Sequence, residues 1–462
     1  MKIALVFCPF GGIEQPPAGI TYLAAYLRDA HDVSLFDLNI HFRRYCAEQG
    51  DEFFSMDVYA PGAIRDEQHL ELGELEVVQG FVELWASRIA GGYDLVGFSL
   101  FQASFHFSTL LMEAIRRLKP GIRIVAGGPF CDLTDGGIDV MELPNPADSG
   151  PRYLVDAAVL GEGELSFRGL VNTIEAGGEI HGLPGVLTSR SEKPPPVTPA
   201  EWADLDALPF PDYSGYELAS YKNLILPLVA SRGCPYNCRY CAEKPLWEIY
   251  RSRRAAGVFE EIRHHMRESG ALFFHFSESL VNGNISMLHE LCDRIIESKI
   301  EIGWYALATA RKQMNDGLLQ KIRASGCSSL NYGLESGSDR LLRDMRKPFT
   351  AKQVSAVLAA TRRAGISTEV CLFVGYPTET EEDLAETFNF LERNAASIDR
   401  VHLAGTCRVG PRSYLMRHAG EMGIVGFGDE WHLTDGTSTP LIREDRARRL
   451  EAHCEKLGLK SW

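Results

Sequence analysis

No apolar run in this chain of 462 residues approaches the roughly 20 that span a bilayer. The longest, such as Leu224–Ala230, fall far short, so no membrane partner is expected. The opening MKIALVFCPF carries one lysine and no cleavage site. No signal peptide is therefore expected, and the expected location is cytoplasmic. Basic residues are in deficit: 47 against 62 acidic ones, a net charge of −15, which weighs against nucleic acid as a partner. A dinucleotide fingerprint, G-x-G-x-x-G, is missing after the first strand candidate, where Cys8-Pro-Phe-Gly-Gly-Ile-Glu14 stands instead. No G-x4-G-K-[ST] phosphate loop occurs either, which excludes a nucleotide triphosphatase of that class. What is there is ordinary globular composition, 45% hydrophobic and 24% charged, over a length that calls for two or three domains.

Cysteine is the uneven entry. Eleven are present, an odd number scattered along the chain, which reads as reduced thiols rather than a disulfide framework. Eight are isolated: Cys8, Cys46, Cys131, Cys292, Cys327, Cys371, Cys407 and Cys454. The other three, Cys234, Cys238 and Cys241, crowd one short segment.

The chain reads as an α/β protein in two parts. In residues 1–190 strand candidates (Lys2–Phe7, His31–Leu38, Asp94–Leu100, Arg123–Ala126, Ala157–Leu160) alternate with helical patterns (Ile20–Arg28, Phe107–Leu118, Leu165–Glu175). That alternation predicts a doubly wound, Rossmann-like parallel sheet, with ligands beyond the strands' carboxyl ends. Residues 41–92 read as a less regular insertion with one helix near Leu70–Ile89. A proline-rich stretch, Ser189–Pro211, marks a linker, taken as 191–223. From 224 to 421 six strand–helix units follow, beginning with Leu224–Ala230, Ala271–Phe276 and Glu301–Ala308 and continuing through Ser328–Gly333, Thr368–Val374 and Asp399–Ala404. They predict a partial (β/α)6 barrel with chemistry at its carboxyl rim. The tail, 422–462, holds one closing helix near Leu441–Leu457, and Asp429-Glu-Trp-His432 is expected to fold over the open barrel.

The crowded segment reads Ser231-Arg-Gly-Cys-Pro-Tyr-Asn-Cys-Arg-Tyr-Cys241, a C-x3-C-x2-C spacing directly after the first barrel strand. A structural zinc site normally needs four ligands, and none follows at ligand spacing, so zinc would require a distant donor. Three thiolates suit a [4Fe–4S] cluster that keeps one iron open. With its aromatic before the last cysteine, this loop resembles the signature of the radical SAM superfamily, and the resemblance extends through Leu226–Gly410. It implies that S-adenosylmethionine (SAM) chelates the open iron and is cleaved, by one electron, to methionine and a 5′-deoxyadenosyl radical. An external donor of flavodoxin or ferredoxin type would supply the electron. It implies SAM contacts at Tyr240; at Ser277, Glu278 and Ser279; at Glu335 and Ser336 in Gly333-Leu-Glu-Ser-Gly-Ser338; and at Gly375 and Glu379 in Val374-Gly-Tyr-Pro-Thr-Glu379. Capping and turn roles are the plainer readings of Glu335 and of Gly375-Tyr-Pro377.

Pro16-Pro-Ala-Gly-Ile-Thr-Tyr-Leu-Ala-Ala-Tyr-Leu27 and the loops Leu95-Val-Gly-Phe-Ser99, Ala126-Gly-Gly-Pro129 and Leu160-Gly-Glu-Gly-Glu164 resemble the cobalamin-binding domain that precedes many radical SAM cores. The resemblance implies cobalamin contacts at Pro17, Ser99, Gln102, Gly127, Gly128, Pro129, Gly161, Glu162 and Gly163. Glycines there let a flat macrocycle approach the backbone. The D-x-H-x-x-G motif that supplies a lower axial histidine is absent after the first strand, and His31 reads as a turn residue. Cobalamin would then keep its own base or leave its lower face open, and a domain that retains the shape without the cofactor is the alternative.

Three functions follow. The first is a cobalamin-dependent radical SAM methyltransferase acting on an unactivated carbon of a small molecule or natural-product intermediate, with corrin and SAM on opposite sides of the substrate. The second keeps the radical chemistry for dehydration, deoxygenation or rearrangement, with the first domain as scaffold. The third is a non-catalytic iron–sulfur or zinc module. A methylthiotransferase finds Cys8 and Cys46 near two of its three cysteines but no third. Cys407, ending the sixth barrel strand, is the candidate catalytic thiol at the substrate rim, against the commoner reading of a buried inert cysteine.

Overall fold

A computed structural model describes residues 1–51, 75–131, 140–145, 152–189, 202–243, 247, 249–410 and 412–461. The chain divides into two compact units, with the principal division between Pro227 and Leu228.

In the first unit β1 (Lys2–Phe7), α1 (Ala18–Leu27), β2 (Asp32–Asp37), α2 (Leu38–Glu48), α3 (Glu76–Gly92), β3 (Leu95–Ser99), α4 (Phe105–Leu118), β4 (Arg123–Gly127), β5 (Ala157–Val159), α5 (Gly163–Glu175) and β6 (Val186–Leu187) succeed one another. The sheet order is β2-β1-β3-β4-β5-β6, parallel except for β6, which runs antiparallel to β5. The strands are short apolar runs, and the sheet has a separate core on each face. One holds Phe42, Phe81 and Phe107; the other holds Leu5, Phe167 and Leu170. The order reverses direction between β1 and β3, the switch point at which such sheets bind ligands.

Two readings need correcting here. The stretch expected to be irregular opens with α2, because the Asp37 side chain caps that helix by accepting from the Asn39 N–H. Part of the helix expected near Leu70–Ile89 lies outside the described residues, as does 190–201 of the proline-rich stretch. From Trp202 to Pro227 the chain packs on the first unit: Tyr221 donates to Asp37 Oδ2 at 2.8 Å and Tyr213 to the Pro227 carbonyl at 3.0 Å.

The second sheet starts with β7 (Ile225–Leu228). It continues through β8 (Phe273–Phe276), β9 (Gly303–Ala308), β10 (Cys327–Glu335), β11 (Ser367–Val374) and β12 (Arg400–Thr406). The order is sequential, so each crossover returns to the neighbouring position, as a partial barrel requires. Its helices are α6 (Ala255–Ser269), α7 (Ile285–Ser298), α8 (Asp316–Ala324), α9 (Asp339–Asp344), α10 (Ala351–Arg363) and α11 (Glu381–Asn394). Five begin at side-chain caps (Asn284, Asn315, Ser338, Thr350, Thr380), and Thr380 with Asp383 forms a full capping box. The tail supplies α12 (Pro440–Lys456) and a strand that sequence reading did not find, β13 (Lys460–Ser461), which pairs with β12. Among the described residues no helix is long and apolar enough to cross a membrane.

Candidate active site

The loop after β7 carries the three cysteines, all half-buried. It turns at Gly233, whose φ of +79° and whose absent Cβ, 2.9 Å from the Ile249 carbonyl oxygen, both demand glycine. Burial raises the Cys234 thiol and pushes Cys238 up to about 11. The three thiols act on one another electrostatically, so they share one locale. Among the described residues, no three His, Cys, Asp or Glu side chains are gathered tightly enough to hold a metal ion.

Against this loop stands a closed polar knot. Tyr240 donates to Glu335 Oε1 at 2.9 Å, and Lys347 Nζ lies 3.0 Å from the same hydroxyl and 3.1 Å from the same carboxylate oxygen. Glu335 adopts φ +72°, a left-handed conformation that costs a non-glycine residue roughly 1–3 kcal/mol and persists only when its surroundings hold it. Lys347 is 7% exposed, and its ammonium acts on Cys238 and Cys241 as well as on Glu335. Burial opposes its charge; those three negative or ionisable neighbours outweigh burial and raise its pKa. Sequence reading missed Lys347. It lies 12 residues beyond Glu335 and returns only because α9 and the left-handed turn at Arg346 (φ +60°) fold it back.

Glu278 is buried, with Oε2 accepting from the Ala230 N–H at 3.3 Å and Oε1 left with no hydrogen-bond partner. Burial pushes it up to about 8. Ser279 is bound to Glu243 Oε1 at 2.8 Å, whereas Ser277 is exposed beside His275. Two other expected SAM contacts are engaged inside the fold. Ser336 hydrogen-bonds Thr387 and accepts from the Ser338 N–H. Glu379 accepts from the Gly375 N–H at 2.5 Å and from Arg446 at 3.3 Å, which ties its loop together. Gly375 itself has φ +80°, and a Cβ there would fall 2.3 Å from Arg443 Cδ.

Cys407 needs correction as a substrate-rim thiol. It is 3% exposed, in a cluster with Phe373, Tyr376 and Trp431, and Trp431 donates to its carbonyl at 2.7 Å. The segment expected to fold over the barrel thus seals this thiol in, and burial drives its pKa far up.

In the first unit the expected cobalamin residues gather at one edge. Ser99, Gly127 and Gly128 close β3 and β4, and Gly161, Glu162 and Gly163 lead into α5. Gln102, Gly128, Pro129 and Gly161 are exposed, and Pro17 caps α1. At Gly128 φ is +95°, and a Cβ would meet the Leu100 carbonyl oxygen at 2.8 Å. Phe101, 41% exposed, stands edge-on to Phe7 at 5.4 Å, so the rim is also apolar. His31 lies between α1 and β2, 7% exposed and 3.1 Å from Asn172 Oδ1, away from that rim.

Residues 228–391 match the Radical SAM superfamily model. The chain carries a radical SAM domain. An uncharacterized methyltransferase of Pyrococcus horikoshii is 24% identical over 85% of this chain and 78% of its own length. An anaerobic magnesium-protoporphyrin IX monomethyl ester cyclase of Rubrivivax gelatinosus is 25% identical over 64% of this chain, which spans about half (53%) of that relative. In structure the chain is similar to the radical SAM methyltransferase TsrM of Kitasatospora setae, solved with cobalamin and a [4Fe–4S] cluster. The TM-score is 0.67 at 16% identity, covering 96% of this chain and 84% of that one. A second TsrM structure holds tryptophan as substrate and a SAM analogue. The likeness supports the fold: a doubly wound α/β unit followed by a partial (β/α) barrel.

The residues present fit these groups. Three thiols on one loop beside a buried ammonium suit an anionic cluster. The orphaned Oε1 of Glu278 suits an incoming ammonium, since a buried acceptor without a partner costs about 1–3 kcal/mol.

Proposed function

We propose that this protein is a cobalamin-dependent radical SAM methyltransferase that methylates an unactivated carbon of a small molecule. The observation that carries the reading is the open, glycine-cut edge of the first unit, with exposed Phe101, in a chain whose second unit brings a cysteine loop, through its own Tyr240, against Glu335 and Lys347. When bound, the cluster and SAM supply a 5′-deoxyadenosyl radical, and cobalamin supplies a transferable methyl group. Cys234, Cys238 and Cys241 hold the cluster, and Lys347 offsets its charge. Glu278 Oε1 receives the SAM ammonium, and Tyr240 presents its ring. Gly127, Gly128 and Pro129, with Gly161, Glu162 and Gly163, leave room for the corrin, while Ser99 and Gln102 give it hydrogen bonds. Electrons come from a flavodoxin- or ferredoxin-type donor.

The test is anaerobic. Protein reconstituted with iron, sulfide and hydroxocobalamin receives methyl-labelled SAM and a strong reductant. Label on the protein-bound corrinoid supports methyl transfer. Full turnover to deoxyadenosine with no corrinoid bound supports instead radical chemistry without methylation, a reading also favoured by the likeness to a cyclase.

A further inference from the structure

Just past α9 two consecutive cations take opposite directions. Lys347 turns inward to Glu335, whereas Arg346, at φ +60°, is exposed, with its guanidinium 4.9 Å from the centre of the Tyr414 ring. Arg239, which lies between Cys238 and Cys241, meets the same ring at 4.8 Å. The backbone joins these places as well. The Arg239 N–H donates to the Met345 carbonyl at 3.1 Å, and the Arg239 carbonyl accepts from the Leu415 N–H at 3.2 Å. The cysteine loop is thus held between the turn after α9 and the segment that carries Tyr414.

All three segments are rich in one sign of charge. Residues 231–242 hold two arginines and no acid, and residues 408–419 hold three arginines and no acid. Arg343, Arg346 and Arg417 are exposed, as are Pro235 and Asn237 of the cysteine loop itself. Asp344, the acid between Arg343 and Arg346, is engaged by Arg239 and by the Thr378 hydroxyl. The chain as a whole carries the opposite sign, a net charge of −15. An acidic partner is therefore repelled by the bulk of the protein and steered to this cationic place. Tyrosine and arginine are also the side chains that most often anchor interfaces. Here they are ordered in advance, because both guanidinium groups and the His418 ring, stacked at 4.0 Å, pack on Tyr414. Little further freedom is lost when a partner docks on them.

We propose that Arg239, Arg346, Tyr414 and Arg417 form the docking face for a small acidic protein that carries one electron, of flavodoxin or ferredoxin type. The carrier is oxidised by one electron. That electron enters through the cysteine loop, where Arg239 adjoins Cys238, and reduces the cluster held there by one. The proposal rests on the radical SAM reading of the second unit.

Anaerobic calorimetry on cluster-loaded protein tests it, with an acidic flavodoxin and an acidic ferredoxin as probes. At least one of them should bind wild type in about 50 mM salt, and at least tenfold more weakly in about 500 mM salt. Arg346→Glu/Arg417→Glu should weaken that binding at least tenfold. Arg117→Glu/Arg448→Glu makes the same change of charge on exposed arginines of α4 and α12, and should weaken it less than about twofold. SAM cleavage is the second readout. The first variant should lose it when the carrier is the reductant and keep it with reduced methyl viologen, a small cation that needs no docking face. Binding of neither carrier, or equal weakening by the two double variants, overturns the proposal. Should Arg346→Glu/Arg417→Glu take up no cluster or fail with viologen, Arg417→Glu alone decides: about a threefold loss of affinity is expected, and no loss overturns the proposal. A wild type that cleaves no SAM even with viologen would instead sink the radical SAM reading beneath it.

Discussion

Tyr240 and Glu335, 95 residues apart in sequence, meet through a hydrogen bond of 2.9 Å that joins the cysteine loop to the end of β10. Lys347 closes the contact from a third segment. Removing the cation alone should be costly, because it leaves a carboxylate buried without its partner. Lys347→Met is expected to lose about 3–5 kcal/mol in urea unfolding. It should also bind SAM at least tenfold more weakly, while Lys347→Arg keeps most of both. Unchanged SAM affinity in the methionine variant would remove Lys347 from the site.

Backbone geometry gives a second expectation. Gly375→Ala must place a methyl group against Arg443 at φ +80°, so a loss of about 2 kcal/mol or more is expected. Gly420→Ala meets nothing within 4 Å and should be near neutral. Thermal unfolding of the two variants checks the contrast.

Glu278 predicts a pH dependence of definite sign. Its folded pKa of about 8 lies above the ordinary 4.5, so the folded protein holds the extra proton between those values. Its contribution is full below about pH 4.5 and is lost as pH rises through 8. Glu278→Gln abolishes that loss. The stability of the variant relative to wild type should therefore climb from pH 5 to pH 8, in unfolding measured on protein without SAM. A flat difference would place the carboxyl in water.

Much of this arrangement was legible in the sequence, for reasons that differ by residue. Periodicity and glycine placement gave both parallel sheets, and the spacing of Cys234, Cys238 and Cys241 gave the loop. Lys347 was not legible, because a single lysine after a short helix carries no pattern until the turn at Arg346 directs it inward. Glu379 and Ser336 stand in the motifs expected to meet SAM, and only the structure shows that their hydrogen bonds also tie loops together. Cys407 was misplaced because nothing in the sequence revealed that Trp431 would cover it.

That cover yields its own test. Cys407→Ala should leave SAM cleavage unchanged, and iodoacetamide should spare Cys407 in native protein, since a buried thiol is a poor nucleophile. Rapid labelling at this position would restore it to the rim.

At the first unit's edge, Gly128→Val adds bulk where a Cβ alone would sit 2.8 and 2.9 Å from Leu100 backbone atoms. Corrinoid uptake should fall at least tenfold while cluster content and SAM cleavage remain. Loss of all three would mean that the substitution unfolds the chain.

The most direct measurement is the corrinoid content of cluster-loaded protein, read by absorbance after anaerobic purification from cells supplied with cobalamin. The account predicts about one corrinoid per chain, released by Gly128→Val. A protein that carries its cluster and cleaves SAM yet retains no corrinoid would contradict it.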